Sequence, residues 1–274
     1  MACWNGTGVF ELADVAFYTS VLTATQIASQ YAVATAGFVV QDSGARINAV
    51  LQAAGVPASQ VSTDTGNVQV QAVTNSLATT TAMSYCNTVN STERGLLYQD
   101  PAGVVQFKRR RYVYETAAST TSQATFSYSS GTNQYLSTGL VPGLDDLDLW
   151  NNINVSRNGG VVQNVYDTAS QTSYGRRTQS ISGLLFTNDD ESYDLATGIL
   201  YQYKQPAARV RSLTLTSTIN AGATLPQQLG RNLLDRITIN WRPMDGTTVD
   251  FSQQSLIEAV THTVTPTEWL TTFA

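Results

Sequence analysis

The chain has 274 residues, a net charge of -5 at pH 7 and a pI of about 4.8. Charged residues make up 13% of it, against about 25% in an average soluble domain. The length allows more than one hydrophobic core, the acidic balance argues against a nucleic-acid binder, and the chain has no run of about eighteen apolar residues that would cross a membrane.

The first predicted elements are a strand and a helix. Residues 10–18 alternate weakly and predict the strand, and residues 22–31 predict the helix. Thr23 and Gln26 have the spacing of a capping box, in which each side chain accepts a hydrogen bond from the other residue's backbone N–H. Thr35-Ala36-Gly37 is interpreted as a linker.

Two further helices and a short strand are predicted next. The first helix covers about 43–54 and ends at Gly55, with Pro57 preventing its continuation. A strand follows at 68–71, and the second helix covers about 78–93. The helix residues at apolar spacing are Ile47, Val50, Leu51, Ala54, Ala82, Met83, Cys86 and Val89.

A hairpin follows the second of these helices directly. Glu93-Arg94-Gly95 ends the helix, and the apolar runs 96–99 and 104–108 predict two strands. Asp100-Pro101-Ala102-Gly103 supplies the turn, because proline fixes φ and glycine accepts a positive φ.

The remaining chain is predicted to be richer in strands. Residues 116–140 indicate irregular structure or weak strands. The strand ending at Arg157 is followed by Asn158-Gly159, which is typical of a two-residue turn, and then by a returning strand at 161–165. A helix near 189–204 begins with three acids, which the helix dipole favours. The later strands are predicted at 209–217, 236–242, 249–251, 255–262 and 268–273.

A series of short motifs, in order, extends from about residue 42 to the end. They are Glu93-Arg94-Gly95 with its hairpin, Asn154-Val155, Asp167, Ser170, Tyr174-Gly175-Arg176, Arg209-Val210, Leu234-Asp235-Arg236-Ile237-Thr238 and the strands at 257–273 with their Thr265-Pro266 turn. The series resembles minor tail or tail hub proteins of long-tailed phages that infect actinobacteria.

The segment 13–31 also resembles the last strand and helix of a laminin-G-like (concanavalin-like) jelly roll. Such a domain needs well over a hundred preceding residues, so this chain is expected to be either the C-terminal part of a longer polypeptide or the product of a shortened reading frame. The predicted domains are therefore a jelly-roll remnant at 1–36, a small α+β domain at 37–115 that ends in the hairpin, and a β-rich hub region at 116–274.

The resemblance implies an α+β, mostly β fold of several small domains with three to four short helices. It also implies a structural protein of the distal tail in the virion. Its partners would be its own copies, as a homotrimer, and other tail proteins. Host glycan would be contacted through a missing upstream module, and nucleic acid only as DNA passing through the tail lumen.

The sequence assigns no catalytic, cofactor or metal site, and an enzyme is not expected. His262 lies on a predicted strand without a nucleophile motif, so a packed or solvent-facing role is favoured. Asp145-Asp146-Leu147-Asp148 offers oxygen ligands for Ca²⁺ but not the spacing of an EF-hand, so an exposed acidic turn is favoured. For the basic run Lys108-Arg109-Arg110-Arg111, a solvated strand end whose charges discourage edge pairing is favoured over contact with DNA in a tail lumen.

Other features are interpreted as structural. A total of two cysteines and one histidine argues against a zinc site, which takes four Cys or His ligands when it is structural. The sequence is compatible with a Cys3–Cys86 disulfide, although the helical pattern around Cys86 favours a small buried residue. Arg176-Arg177 and Asp235-Arg236 are candidates for interdomain ion pairs. The N-terminus lacks the features of a secretory signal, so the three Asn-X-Ser/Thr triplets are interpreted as chance.

Two functions remain for test. The first is a structural tail-tip protein, a hub or central-fibre subunit, that acts in tail assembly and host attachment. The second is a host cell-wall carbohydrate-binding or carbohydrate-degrading tail protein.

Overall fold

The computed structural model of the protein describes residues 21–73, 80–128, 133–143, 148–206, 209–242 and 251–274. These residues contain eight α-helices and fifteen strands in five small sheets, which confirms the α+β class. None of the described helices is both long and apolar enough to cross a membrane. The strand expected at 10–18 lies outside the described residues.

The described residues form two compact units. The first contains the chain up to Arg109 together with Gly183–Thr187, and the second contains Arg110–Ser182 and Asn188–Ala274. The elements of the first unit are α1 (Ala24–Ala36), β1 (Gln41–Asp42), α2 (Ser43–Ala53), a 3₁₀ turn (Ala58–Gln60), β2 (Val61–Thr63), β3 (Gln69–Val70), α3 (Ala82–Glu93), β4 (Leu96–Gln99) and β5 (Val105–Lys108).

Helix α1 begins with the predicted capping box. The Thr23 N–H donates to Gln26 Oε1 at 2.8 Å, and the Gln26 N–H donates to Thr23 Oγ1 at 3.2 Å. The helix runs five residues beyond the predicted end, so part of the expected linker is helical. The side-chain amides of Gln26 and Gln30 donate to the carbonyls of Gly55 and Ala53, which attaches α1 to the end of α2.

Helices α2 and α3 supply the core of the first unit. Ile47, Val50, Leu51, Cys86 and Val89 are buried on the predicted faces. Two other predicted face residues are not: Ala54 is exposed, and Met83 is 50% exposed. Tyr85 of α3 is also buried, although it was not among the predicted face residues.

The predicted hairpin is present. Strand β4 pairs antiparallel with β5, and β2, which was not predicted, pairs parallel with β5 on its other side. Gly103 has a φ of +83° in the turn, a conformation in which glycine has no Cβ penalty. The strand predicted at 68–71 is shorter, since β3 contains two residues that pair with β1.

The second unit begins at Arg110 and contains most of the strands. Its elements are α4 (Tyr112–Glu115), α5 (Ala117–Thr120), β6 (Ser122–Ser127), a 3₁₀ turn (Ser137–Gly139), β7 (Leu140–Gly143), β8 (Asn152–Arg157), β9 (Gln163–Tyr166), α6 (Thr168–Tyr174), β10 (Thr178–Leu184, whose last two residues belong to the first unit), α7 (Asp189–Tyr203), β11 (Arg209–Thr216), α8 (Ala221–Gly230), β12 (Arg236–Trp241), β13 (Phe251–Leu256), β14 (Val260–Val264) and β15 (Trp269–Phe273).

Three sheets organise this unit. The first has the order β10-β8-β9, and α7 packs on β8 and β9. The other two have the orders β14-β15-β11-β7 and β13-β12-β6. Residues from both of these sheets meet in one hydrophobic core, which contains Phe126, Leu213, Leu215, Ile237, Ile239 and Phe273.

The single strand predicted at 255–262 is wrong. The chain leaves β13 after Leu256 and enters a different sheet at β14. Between the two strands, the Ile257 N–H donates to the Asp235 carbonyl at 3.0 Å, and the Ile257 carbonyl accepts from Leu234 at 2.7 Å. These bonds to residues more than twenty positions earlier redirect the backbone within a continuous run of strand-forming residues.

The structure also contains four helices that were not predicted from the sequence. They are α4, α5, α6 and α8. Helix α8 contains Pro226, a residue that normally argues against a helix interior. Two of its residues, Thr224 and Gln228, are nonetheless buried. Gln228 Nε2 donates to the carbonyls of Leu215 and Trp269 at 3.0 Å each, which holds the helix against the sheet.

Candidate functional site

The lone histidine lies on β14 beside an aromatic residue. The Trp269 indole N–H donates to His262 Nδ1 at 3.2 Å, and Thr271 Oγ1 is 2.9 Å from the same nitrogen. An indole N–H only donates, so this contact makes Nδ1 an acceptor. The two rings meet edge to face with centroids 5.7 Å apart. The contacts of His262 match the packed or solvent-facing role that the sequence favoured.

The predicted acidic turn is described only at its end. Residues 145–147 lie outside the described residues, and Asp148 is partly exposed. Within the parts of the chain that the structure describes, no group of three or more His, Cys, Asp or Glu residues is arranged to hold a metal ion.

The basic run at the end of β5 is engaged in contacts. Lys108 Nζ is 3.7 Å from Asp64 Oδ1, and the backbone N–H of Arg109 donates to the other oxygen of that carboxylate at 3.2 Å. Arg111 Nε is 3.3 Å from Glu115 Oε1, four residues later. The four cations therefore do not form an unpaired stripe, which favours a structural role over a DNA contact.

Cys86 is completely buried on α3 as a free thiol, and Cys3 lies outside the described residues. Burial raises the pKa of Cys86 to about 12. The thiol therefore stays protonated near neutral pH, and thiolate chemistry is disfavoured because the thiolate is the reactive form. The residue acts as the small apolar group that the helical pattern indicated.

Asp235 and Arg236, the candidates for an interdomain ion pair, are described in other contacts. Asp235 is 3.8 Å from Arg231, four residues earlier, and accepts the backbone N–H of Asn232. Arg236 Nε donates to the Ser119 carbonyl at 2.5 Å. The contacts of both residues lie within the second unit and fix the loop before β12.

A buried carboxylate joins three parts of the first unit. Glu93, the last residue of α3, is 0% exposed and accepts hydrogen bonds from the Ser43 hydroxyl at 3.0 Å and from the backbone N–H groups of Asn67 at 3.1 Å and Val68 at 3.0 Å. The acidic helix end that contributes to the phage-tail resemblance is therefore a structural anchor.

A buried guanidinium has a similar role. Arg46 donates to the Tyr85 hydroxyl and to the carbonyls of Val39 and Gln71, and it lies 5.1 Å from the centroid of the Phe38 ring. Burial lowers the pKa of Arg46, and the interaction with Tyr85 opposes that effect. This cation fixes backbone on both sides of α2, and its position within the stripe of Ser43, Ile47 and Val50 is the sequence signal for it.

The motif residues of the second unit converge on Asn151. Its Nδ2 donates to the Gly175 carbonyl at 2.7 Å and to Ser170 Oγ at 3.2 Å, and its Oδ1 accepts from the Arg177 N–H at 2.8 Å. Asn151 itself was not singled out from the sequence, although the Ser170 and Gly175 that it binds were.

Asp167 begins helix α6 and is joined to the end of α7. Its carboxylate accepts from the Ser170 N–H and from Lys204 Nζ, each at 2.9 Å. These bonds, first to the Ser170 backbone and then to Lys204, lower the pKa of Asp167. The motif residues Asp167 and Ser170 thus stabilise the structure of this unit.

One face of the β10-β8-β9 sheet is neutral and polar. Asn164 Nδ2 donates to Asn154 Oδ1 at 2.6 Å and to Asn152 Oδ1 at 3.2 Å. The amides of Asn154 and Asn152 donate in turn to Ser180 at 3.3 Å and Thr178 at 3.1 Å. The intervening residues of β8 are buried, as strand alternation requires.

The four-stranded sheet has two edges of different character. At one edge, β7 contains Pro142, and its pairing with β11 shifts register between Val210 and Ser212. Proline and bulges are features that prevent further strand pairing. At the other edge, β14 has no charge, glycine or proline, and four of its five residues are exposed. This second edge is the candidate assembly surface.

No protein-family model matches the sequence, and no curated protein matches it. The fold is nevertheless similar to solved structures of tail proteins. The 43 kDa tail protein of prophage MuSo2 from Shewanella oneidensis is 16% identical, with a TM-score of 0.52 over 90% of this chain and 68% of that one. A tail protein from Neisseria meningitidis MC58 is 7% identical, with a TM-score of 0.55 over 88% of this chain and 71% of that one. The chain therefore has the fold of phage-type tail proteins.

Proposed function

We propose that the protein is a structural component of a phage tail and works by assembling with copies of itself and with other tail proteins. The observation that carries the proposal is the similarity of the fold to two different tail proteins. The similarity covers 90% of this chain in one comparison and 88% in the other. It agrees with the resemblance seen in the sequence motifs. Actinobacteria as hosts and a jelly-roll remnant at the N-terminus belong to the same proposal.

The chemistry of the described residues supports an architectural role. Glu93, Asp167 and Asn151 are held in contacts with backbone groups, and Cys86 is buried and protonated. These groups stabilise loops and helix ends. We therefore expect a protein without turnover.

The finer role is a hub or central-fibre subunit at the distal tail of the virion, assembled as a homotrimer. A ring of three copies would surround the tail lumen, and DNA would contact the protein only in passing. Host attachment would follow from this position at the tip, with glycan contacts made by an upstream module.

The test is the assembly state of the purified chain. Multi-angle light scattering and negative-stain micrographs are expected to show a defined closed particle whose mass is three times the 29.5 kDa of one chain. A protein that stays monomeric at every concentration, without rings in the micrographs, contradicts the proposal.

A second candidate function is binding of a neutral cell-wall glycan. The polar face formed by the exposed Asn164, Thr178 and Ser180 and the partly exposed Asn154 favours it, because fixed amides and hydroxyls match the hydroxyl groups of sugars. On a glycan array, Asn164→Ala is expected to lose binding, while Asn158→Ala, which changes an asparagine in the turn after β8, retains it. An array without signal for the unaltered protein, together with a blank zymogram, removes this candidate.

A further inference from the structure

The open edge of β14 presents a regular set of backbone hydrogen-bonding groups. Ala259 and Ala274 exchange N–H···O bonds of 2.9 and 3.0 Å, and the Thr265 N–H donates to the Glu268 carbonyl at 2.8 Å. Hydrogen-bonded and non-hydrogen-bonded pairs alternate along an antiparallel ladder. With the unbroken register of β14 and β15, this parity directs the backbone groups of Val260, His262 and Val264 away from β15.

These outward groups have no backbone partner within the described part of the chain, because β14 is the last strand of its sheet. Exposed N–H and C=O groups in a row favour pairing with another strand. The strand at the opposite edge, β7, contains Pro142, which has no N–H to donate to a further strand, and its pairing with β11 has a register shift at Arg211 of β11. The two edges therefore differ in the features that normally prevent association.

The sequence of β14 is symmetric about its central residue. It reads Val260-Thr261-His262-Thr263-Val264. When two such strands pair antiparallel around a two-fold axis at His262, Val260 lies opposite Val264 and Thr261 lies opposite Thr263. All three residues with outward backbone groups then fall at hydrogen-bonded positions, and Thr–Thr pairs fall at the closer, non-hydrogen-bonded positions.

The charges around the strand permit this arrangement. No residue from Ala259 to Thr265 carries a formal charge apart from the ionisable His262. The nearest acid in the chain before the strand, Glu258, would lie opposite Pro266 of the second copy. The edge is thus electrostatically compatible with itself, whereas a strand with clustered like charges would be repelled.

We propose that β14 is a docking edge for a second copy of this chain, and that the two copies pair antiparallel about a two-fold axis at His262. The pairing joins two four-stranded sheets into one continuous sheet. It gives the proposed assembly function a defined contact, and it is a different contact from the one that closes a trimer, because a two-fold interface uses the same patch on both subunits.

Cysteine cross-linking tests the register directly. At a hydrogen-bonded antiparallel pair the Cα atoms are about 5.5 Å apart, which is within the range of a disulfide. His262→Cys in a Cys3→Ser background is therefore expected to form a covalent dimer under mild oxidation. Thr261→Cys in the same background is the matched control, since its two copies lie on opposite sides of the axis. Chains with Thr261→Cys and chains with Thr263→Cys should cross-link when mixed.

A charge pair provides a second test that does not depend on oxidation. The double variant Thr261→Lys with Thr263→Lys places lysines opposite each other across the axis and is expected to weaken dimerisation at least tenfold in sedimentation equilibrium. The variant Thr261→Lys with Thr263→Glu places opposite charges together at the same two sites and should retain it. Circular dichroism shows whether both variants are folded.

The outcomes separate this contact from the proposed function. Dimers, or trimers joined in pairs, with the expected cross-links support the two-fold edge. A trimer that shows no His262→Cys cross-link overturns the edge and leaves the tail-assembly proposal standing. A monomer at all concentrations overturns both. The proposed contact is also contradicted if the two charged variants dimerise with the same affinity.

Discussion

The Ser43 hydroxyl donates a hydrogen bond of 3.0 Å to the buried carboxylate of Glu93, fifty residues later in the chain. The same carboxylate holds the backbone of Asn67 and Val68. Replacing Glu93 with glutamine puts an amide nitrogen among donors, so the free energy of unfolding is expected to fall by about 3 kcal/mol. Urea denaturation measures this change.

Glu115→Gln is the matched control for that substitution. Glu115 pairs with Arg111 at 3.3 Å, but its side chain is 40% exposed. Exposed pairs contribute about 1 kcal/mol or less, so the control should unfold nearly as the original protein does. Similar losses for the two variants would show that Glu93 is not an anchor.

The hydrogen bonds of Asp100 in the hairpin turn are expected to make the stability of the fold depend on pH. The Gln106 amide and the Val104 N–H donate to its carboxylate and lower the pKa of Asp100. Because the folded-state pKa is depressed, the ionised group stabilises the fold above its unfolded pKa of about 3.9, and this stabilisation is lost as the pH falls through the folded-state value.

Asp100→Asn removes that titration. The difference in melting temperature between the original protein and the variant should be constant from about pH 7 to pH 5 and should narrow as the pH falls below about 4. Calorimetry at a series of pH values measures it. A difference that stays constant down to pH 3 would show that these hydrogen bonds do not depend on the charge of Asp100.

Asn151→Asp tests the centre of the second unit. The replacement has nearly the same shape, but it turns the donor that faces the Gly175 carbonyl into a second acceptor. We expect a loss of about 2 kcal/mol in the free energy of unfolding. Asn158→Asp, in a turn where Asp-Gly also fits, should leave stability unchanged. A stable Asn151 variant would contradict the assigned network.

Alanine substitutions at two glycines are expected to change the stability of the protein in opposite directions. A Cβ at Gly44 would lie 1.8 Å from the backbone oxygen of Asp64, whereas a Cβ at Gly198 in α7 meets no atom within 4 Å. Gly44→Ala is expected to destabilise the protein by about 3 kcal/mol, and Gly198→Ala to stabilise it by about 1 kcal/mol. Chemical denaturation of the two variants gives the signs directly.

Local signals in the sequence predicted the elements that depend on local chemistry. The capping box of Thr23 and Gln26, the turn of Asp100 to Gly103, and the helix that begins with three acids at Asp189 are all present. Helix α8 was missed because Pro226 contradicts its local pattern. The split at Ile257 was missed because backbone bonds to Asp235 and Leu234, far away in sequence, cause it.

The candidate assembly surface could be predicted only in part from the sequence. The symmetric segment around His262 can be read directly, but its position at the edge of a sheet depends on the strand order. The polar groups of Arg46 and Asn151 show the same limit, since their partners come from segments that the fold brings together. Sequence motifs predicted part of the order of elements, whereas burial and strand pairing depend on the tertiary structure.

The assembly state of the intact chain in solution tests the central claim most directly. Light scattering at increasing protein concentration is expected to show a closed particle built from a fixed number of copies, three in the proposed hub. A constant mass of 29.5 kDa over the whole concentration range would contradict the proposal that this fold functions by self-assembly.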